Sequence, residues 1–529
     1  MSDARGQGRN GDRGFEGRGR VRYGGRARVN DASRRSAQRP SQRSRHGDKA
    51  RSVAFQTMRA IDEGAYANLD LPARLRRATL HRQDYAFVTE LVYGTTRMRG
   101  FYDAVISVAG SRRVEEVDAD VLAALRLGVH QILDMRVPVH AAVDETVALV
   151  RGEVGVGASK FTNAVLRRVS ERSREQWCER VVEGVADEAE RLAVLYSHPA
   201  WVVRALRAAL IAHGSVSGVD AGDEAGGREA VQQALVELLE ADNAGAKVAL
   251  VARPGLADVQ ELVEAGGKPL PLSAYSVVLD GGDPGRIAAV RSGRAAVQDP
   301  GSVLLPPALV GVPVDPVAGG GERWLDMCAG PGGKAGLLAA LSIGYPGDVA
   351  VFANEVSEHR AELVEQAVSA AQDAGAEVFV GVGDGRSLGV EEPGGFDRVL
   401  VDAPCTGLGA LRRRPEARWR RAPRDVAELA QLQGQLLDSA IAATRAGGVV
   451  AYVTCSPHPV ETVDVVQGAL GRNAHVSVLD AQQWVRGADG EQVQGLGAAP
   501  YVQLWPHVHG TDAMFLALLR VGDVAGGGC

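Results

Sequence analysis

The stretch "RWLDMCAGPGGKAGLLAAL" (323–341) restricts the C-terminal part of this chain more than any other segment, because three backbone regimes follow one another within it. An apolar run stops at an aspartate, a Gly/Pro cluster turns the chain, and small apolar residues then recur at helical spacing. Gly330, Gly332 and Gly333 let the backbone pass close to a ligand, and the helix that follows turns unpaired N–H groups toward it. Strand, glycine turn and helix in this order form one unit of a doubly wound sheet, and such a cradle suits a nucleotide-like ligand. Lys334 is followed by Ala335, so the GxxxxGK[ST] pattern of a P-loop ATPase is missing.

Further strand and helix units follow. "DVAVFANEVSEHRAELVEQAV" (348–368) ends its strand near Glu355, about twenty residues past the glycine loop, where an acid accepts both hydroxyls of a ribose. "EVFVGVGDGRSL" (377–388) ends at Asp384 and "FDRVLVDAPC" (396–405) at Asp402. Ligands of open α/β sheets lie at the carboxyl edge, so Glu355, Asp384 and Asp402 are expected to converge on one small molecule. Taken singly, each reads equally well as the N-cap of the next helix. A dinucleotide also fits such an edge, but no GxGxxG follows the strand, which weighs against a dehydrogenase. "GGVVAYVTCSPHPVE" (447–461) brings Cys455 to the same edge as Cys405 of "LVDAPCTGLG" (400–409). Two thiols at neighbouring strand ends point to covalent chemistry on an electrophilic ring rather than to two inert buried cysteines.

The chain is 529 residues long, which suggests two or three domains with sizeable cores. Its five cysteines, Cys178, Cys328, Cys405, Cys455 and Cys529, offer no paired CxxC and no disulfide framework. Reduced thiols, the lack of a long uncharged apolar run and the lack of a signal peptide lead us to expect a soluble, cytoplasmic protein with no membrane contact and no metal. Net charge is −6, yet residues 1–50 hold thirteen Arg and one Lys against five acids, a local +9 that leaves −15 elsewhere. This Arg/Gly-rich head, residues 1–48, has too few aliphatic side chains to offset its chain entropy and is expected to be disordered. Its arginines, interleaved with Phe15 and Tyr23, suit RNA phosphates and bases; the alternative is a solubilising tail. If it binds RNA, deleting residues 1–48 weakens binding more at low salt than at high salt, through lost counterion release. Equal low-salt affinities in a filter-binding titration of the two forms would rule the RNA role out.

From residue 49 to 172 the pattern is helical; Leu122, Leu125, Val129, Ile132 and Leu133 share one face. "FVTELVYGTTR", "LRLGVHQIL", "HAAVDETVALV" and "KFTNAVLRRV" resemble the NusB-like RNA-binding domain. Lys160, Arg167 and Arg168 near its end are candidate phosphate contacts or simply a solvated helix face. Residues 173–300 read as a linker and a small α+β module with strands in "KVALVARPG" and "YSVVLDGG". The Gly/Ser/acid-rich stretch 213–229 reads as a mobile insertion.

"DMCAGPGGK", "DGR", "DAPCTGLG", "RRRPEARWRR" and "TCSPHPVE" together resemble the RNA cytosine-C5 methyltransferase family, in its bacterial Sun/Fmu branch that acts on small-subunit (16S) ribosomal RNA. The resemblance implies a Rossmann-like S-adenosylmethionine-dependent methyltransferase domain over 301–522, methylating a cytidine of ribosomal RNA that is not yet assembled. A monomer is expected. It further implies that Cys455 is the nucleophile at C6 of the base, that Cys405 assists product release by helping remove the C5 proton, and that Asp402 hydrogen-bonds the ring near N3. Cys328, Ala329, Gly330, Pro331, Gly332, Gly333, Lys334, Glu355, Asp384 and Asp402 would hold the cofactor. Glu355 stands where the family usually has Asp, and Thr406 and Gly407 follow the cysteine where Ser is more usual. "LRRRPEARWRR" (411–421) places Arg412, Arg413, Arg414, Arg418, Arg420 and Arg421 around Trp419, which we expect to meet RNA phosphates and a splayed base. The alternatives are the same chemistry on transfer RNA, and a non-catalytic RNA-binding or assembly protein on this scaffold.

Overall fold

The computed structural model describes residues 48–215, 224–315 and 320–523; residues 1–47 of the Arg/Gly-rich head expected to be disordered lie outside them, while Asp48 caps the first helix. The described chain begins with an all-helical domain of seven helices, Lys49–Asp62, Ala67–Arg77, Arg82–Arg97, Arg99–Gly110, Ala119–Leu133, Val139–Glu153 and Val156–Val169. Asp118 starts the fifth by accepting the Asp120 and Val121 N–H groups, which the helix cannot satisfy itself. The predicted apolar stripe is there, but burial runs right round this helix from Val121 to Gln131. It is the central helix of the domain, and it can include Arg126 because Asp103 grips that guanidinium at 2.7 and 2.8 Å.

Four more helices, Arg174–Val181, Glu188–Leu195, Ala200–Ala212 and Glu224–Asn243, precede a small antiparallel sheet. Its strands are β1 (Val248–Ala252), β2 (Gly267–Pro269), β3 (Ser276–Leu279) and β4 (Ala295–Val297), in the order β2-β3-β1-β4. Of the stretch 213–229 expected to be a mobile insertion, residues 216–223 lie outside the described chain; at its flanks, residues 224–229 belong to the helix Glu224–Asn243, and His213 is buried with its Nε2 2.9 Å from the Pro457 carbonyl.

The last domain is built on a second sheet of β5 (Glu322–Asp326), β6 (Val349–Glu355), β7 (Glu377–Val382), β8 (Phe396–Asp402), β9 (Thr444–Thr454), β10 (Val476–Leu479), β11 (Val502–Gln503) and β12 (Phe515–Val521). The order is β10-β12-β9-β8-β5-β6-β7, with β11 paired to β12. β5 to β9 are mutually parallel along that path, while β12 runs antiparallel to β9, β10 and β11. The near-continuous Val, Leu and Ala runs of β8, β9 and β12 follow from burial on both faces, whereas the edge strand β7 is largely exposed. The chain winds outward from β5 through β6 to β7, then returns to lay β8 against the other side of β5. Between β5 and β8 the winding reverses, and there the carboxyl edge opens a crevice.

Candidate active site

At this reversal β5 delivers the glycine loop and β8 delivers Asp402 and Cys405. Gly332 has φ 104° and caps the helix Gly333–Ile343; a Cβ there would lie 2.4 Å from the Ala367 Cβ. A Cβ on Gly330 would lie 2.2 Å from Glu355 Oε2, because the Gly330 N–H donates to that oxygen at 3.0 Å. The other oxygen of Glu355 accepts the Ser357 N–H at 3.1 Å. The strand-end acid is thus buried against the loop, holding β6 to it. The third expected acid differs: β7 ends at Val382, and Asp384 lies two residues on, half-buried and paired with Arg386, which holds its carboxyl below the usual range. Residue 385 packs on Met327, so Asp384 still flanks the same crevice.

Lys334 leaves the start of the helix with its ammonium 2.8 Å from Asp402 Oδ2 across the crevice. Burial opposes its charge, but Asp402 outweighs burial and raises its pKa. Asp326, the aspartate at which β5 stops, was not among the candidate site residues read from the sequence. It is fully buried, neither oxygen has a hydrogen bond of normal geometry among the described residues, and burial with Asp402 nearby pushes its pKa up to about 8. Cys328 is driven up by burial and the Asp326 and Asp402 charges, which makes it an inert thiol.

The two remaining thiols meet. Cys405 Sγ and Cys455 Sγ are 3.3 Å apart, just past the ends of the adjacent parallel strands β8 and β9. The hydrogen bond from Cys405 holds the Cys455 thiol below its ordinary range, with Lys334 helping and burial, Asp402 and Asp512 opposing. Cys405 is pushed well above its range by the same hydrogen bond, then by burial and the surrounding negative charge. Of the two thiols, Cys455 is therefore the one that ionises first, with Cys405 as the donor to its sulfur.

The arginine segment behaves otherwise than expected. Arg418 is fully buried, donating to the Ser197 carbonyl at 3.0 Å, Asn243 Oδ1 at 2.8 Å and the Asp242 carbonyl at 3.2 Å. Arg413 grips Asp512 and Arg412 faces Asp299 at 3.7 Å. Arg420 donates to the Ile61 and Ala65 carbonyls, and Trp419 packs on Gly100, so both bind the helical domain to the catalytic one. Arg421 reaches the Cys405 carbonyl at 3.4 Å. Arg414 is exposed, over the Tyr66 ring. Buried carbonyls and carboxylates outcompete solvent for these guanidinium forks, and the expected RNA patch is chiefly an interdomain clasp. Lys160, Arg167 and Arg168 do lie exposed on one helix, with Arg168 donating to the Ala109 carbonyl. No helix among the described residues is long and apolar enough to cross a membrane, and those residues hold no cluster suited to a metal ion.

Residues 316–520 match the family described as 16S rRNA methyltransferase RsmB/F, and residues 48–171 match the NusB family. The Mycobacterium tuberculosis (strain ATCC 25618 / H37Rv) protein named "Putative methyltransferase Rv1407" is 47% identical over 481 residues, covering 90% of this chain and 98% of its own length. The Bacillus subtilis (strain 168) protein named "Probable ribosomal RNA small subunit methyltransferase B" is 27% identical, over 89% of this chain and 98% of its own. The crystal structure of PH0851 superposes with a TM-score of 0.69 at 20% identity, over 90% of this chain and all of that one, which shows a shared fold. Glycine loop, strand-end acids and an unsatisfied buried carboxyl beside a cationic lysine fit S-adenosylmethionine, whose adenosine, carboxylate and ammonium groups need donors and acceptors of both signs. The chain belongs to the RsmB/F family of 16S rRNA methyltransferases, with S-adenosylmethionine as methyl donor and a NusB-family domain ahead of its catalytic domain.

Proposed function

We propose that the chain methylates C5 of a cytidine in small-subunit ribosomal RNA through a covalent bond between Cys455 and C6 of the base. The observation that carries this reading is the thiol pair, 3.3 Å apart at the reversal point of the sheet with Cys455 as the thiolate partner. C5 of cytosine is too weak a nucleophile to take a methyl group unaided. Addition of the Cys455 thiolate at C6 makes C5 enamine-like. S-adenosylmethionine, bound by residues 328–334, Glu355, Asp384 and Asp402, supplies the electrophilic methyl group. Asp402, oriented by Lys334, hydrogen-bonds the ring near N3, where charge changes during addition. Cys405, once its own proton has passed to solvent, takes the C5 proton; the C5–C6 double bond re-forms and Cys455 leaves as a thiolate beside it. The base has to leave its stack to reach this crevice, so the substrate is single-stranded or flipped-out RNA.

In this reading the helical part, 49–172, and the catalytic part, 301–522, share the RNA across the segment 173–300 that joins them. Arg414, Lys160 and Arg167 offer exposed cations to its phosphates. Incubating the full chain with unmodified 16S ribosomal RNA, bulk transfer RNA and methyl-labelled S-adenosylmethionine tests the reading. Label should appear in 16S ribosomal RNA and co-migrate with 5-methylcytidine after nuclease digestion. Label only in transfer RNA would move the substrate; label in another nucleoside would sink the C5 assignment.

A further inference from the structure

Glu461 is a carboxylate with 0% exposure, and no cation lies within ion-pair distance of it among the described residues. Burying a charge in this way is costly unless several donors surround it. Four do. The Thr406 N–H reaches Oε1 at 2.7 Å and Gln433 Nε2 reaches it at 3.2 Å. The Ser456 hydroxyl donates to Oε2 at 2.6 Å, and the Thr406 hydroxyl donates to the same oxygen. Thr406 follows Cys405 and Ser456 follows Cys455, so one carboxylate holds the residue next to each thiol. The remaining contacts tighten the same joint. Gln433 Nε2 also donates to the Pro404 carbonyl at 2.8 Å, and the hydroxyls of Thr406 and Ser456 are 3.2 Å apart. The Tyr452 hydroxyl donates to the Glu461 carbonyl at 2.8 Å, anchoring the acid to β9 itself.

We propose that Glu461 is the positioning residue of the reaction: it locks the two strand-end loops together so that the sulfur of Cys405 stays in hydrogen-bonding contact with that of Cys455. This rests on the functional reading above and adds to it the group that makes two thiols into a pair. Sheet pairing alone does not supply that register, because the β8–β9 ladder ends at Asp402 and Val453, before either cysteine. Beyond the ladder the Ala403 N–H still donates to the Val453 carbonyl and the Gly409 N–H to the Cys455 carbonyl, both at 2.9 Å, but neither bond ties residue 406 to residue 456, and the carboxylate does. The carboxylate also sets the charge around the pair. Its negative charge disfavours a thiolate on Cys405 and so favours the arrangement in which Cys405 donates and Cys455 attacks. The threonine hydroxyl at 406 does for Oε2 what the more usual serine could do equally well, which accounts for that departure being tolerated.

Two variants separate the clamp from the charge. Glu461→Ala removes both. Glu461→Gln removes the charge, yet its carbonyl can still accept from Thr406 N–H and Gln433 while its NH2 donates to the two hydroxyl oxygens. Diamide, which is reduced as it takes the two thiol hydrogens, closes a Cys405–Cys455 disulfide at a rate that reports how well the sulfurs are held together. It needs neither RNA nor methyl transfer, so the clamp can fail while the functional reading survives, and the reverse. Closure is followed by mass spectrometry of the full chain, with Cys178, Cys328 and Cys529 replaced by Ser in every form. Glu461→Ala should close at least about tenfold more slowly and lose about 100-fold in methylation kcat, with S-adenosylmethionine affinity unchanged within twofold. Glu461→Gln should close at the unaltered rate but shift iodoacetamide alkylation toward Cys405 and move the pH profile of methylation. Closure and kcat within twofold of the parent in Glu461→Ala would overturn the proposal. If that variant does not fold, Thr406→Val with Ser456→Ala, which deletes both hydroxyl donors, takes its place under the same criterion. Glu461→Gln with an unmoved pH profile and an unmoved alkylation ratio also overturns the part assigned to its charge.

Discussion

Cys455→Ala abolishes methylation, by at least about 10⁴-fold, and leaves no RNA-bound protein, because without the thiolate the ring is never activated. Cys405→Ala behaves differently. Addition and methyl transfer still proceed, release stalls, and the covalent complex accumulates as a protein–RNA band that survives denaturing electrophoresis. The division follows from the pair's electrostatics: the hydrogen bond from Cys405 lowers the Cys455 pKa, and Cys455 ionises first. A pH consequence comes with it. A thiol whose pKa is lowered is thiolate down to a lower pH, so removing the Cys405 donor moves the alkylation profile of Cys455 to higher pH. In Cys405→Ala the adduct should therefore form more slowly near neutrality and recover as pH rises. The decisive comparison needs only the two single variants, S-adenosylmethionine and substrate RNA. If Cys455→Ala traps RNA and Cys405→Ala does not, the roles are reversed.

The elements that carry this chemistry were legible because their signals are local. Apolar runs ending in Asp326, Glu355, Asp402 and Cys455 are strands β5, β6, β8 and β9, with helices between them, and parallel pairing follows from that alternation. The central helix Ala119–Leu133 was equally readable from its period. What sequence reading missed depends on partners far along the chain. Glu461 looks like one more acid in "SPHPVE" until the fold brings Thr406 and Gln433 to it from 55 and 28 residues away. Asp326 was hidden as the end of a strand. His213 sat in a Gly- and acid-rich stretch whose composition suggested a loop, yet the catalytic domain closes over it. The antiparallel β12, inserted between β9 and β10, left no trace that spacing alone could reveal. The arginine segment misled for a related reason: six guanidinium groups in eleven residues suggest a phosphate surface, and nothing local announces the carbonyls that take them instead.

Arg418→Met tests that last distinction, and a large loss of stability is expected with little change in RNA binding at temperatures where the variant is folded. The guanidinium is buried between the segment 188–243 and the catalytic domain, where it satisfies the carbonyls of Ser197 and Asp242 and the side chain of Asn243. Its charge also faces the buried Asp242 carboxyl, whose pKa burial raises to about 7. Methionine fills part of the volume but leaves three acceptors unsatisfied and takes from that acid the stronger of the two guanidinium charges acting on it, with only that of Arg412 remaining. Removing one member of such a buried set costs about 3–5 kcal/mol. For a domain of this size that lowers the first thermal transition by roughly 6–20 °C. The pH dependence has a definite sign. An acid with a raised folded pKa is stabilised in its neutral form, so folding is increasingly disfavoured as pH rises from the unfolded carboxyl value toward the folded one. Without Arg418 to oppose burial, the Asp242 pKa climbs further, and the deficit of the variant relative to the parent should be greater at pH 8 than at pH 5. Arg414→Ala is the contrast, because its exposed guanidinium is offered to RNA: stability within about 0.5 kcal/mol, and a salt slope of RNA binding shallower by about one. Should Arg418→Met keep its thermal transition and flatten the salt slope instead, the buried clasp is wrong and the segment binds RNA as its composition first suggested.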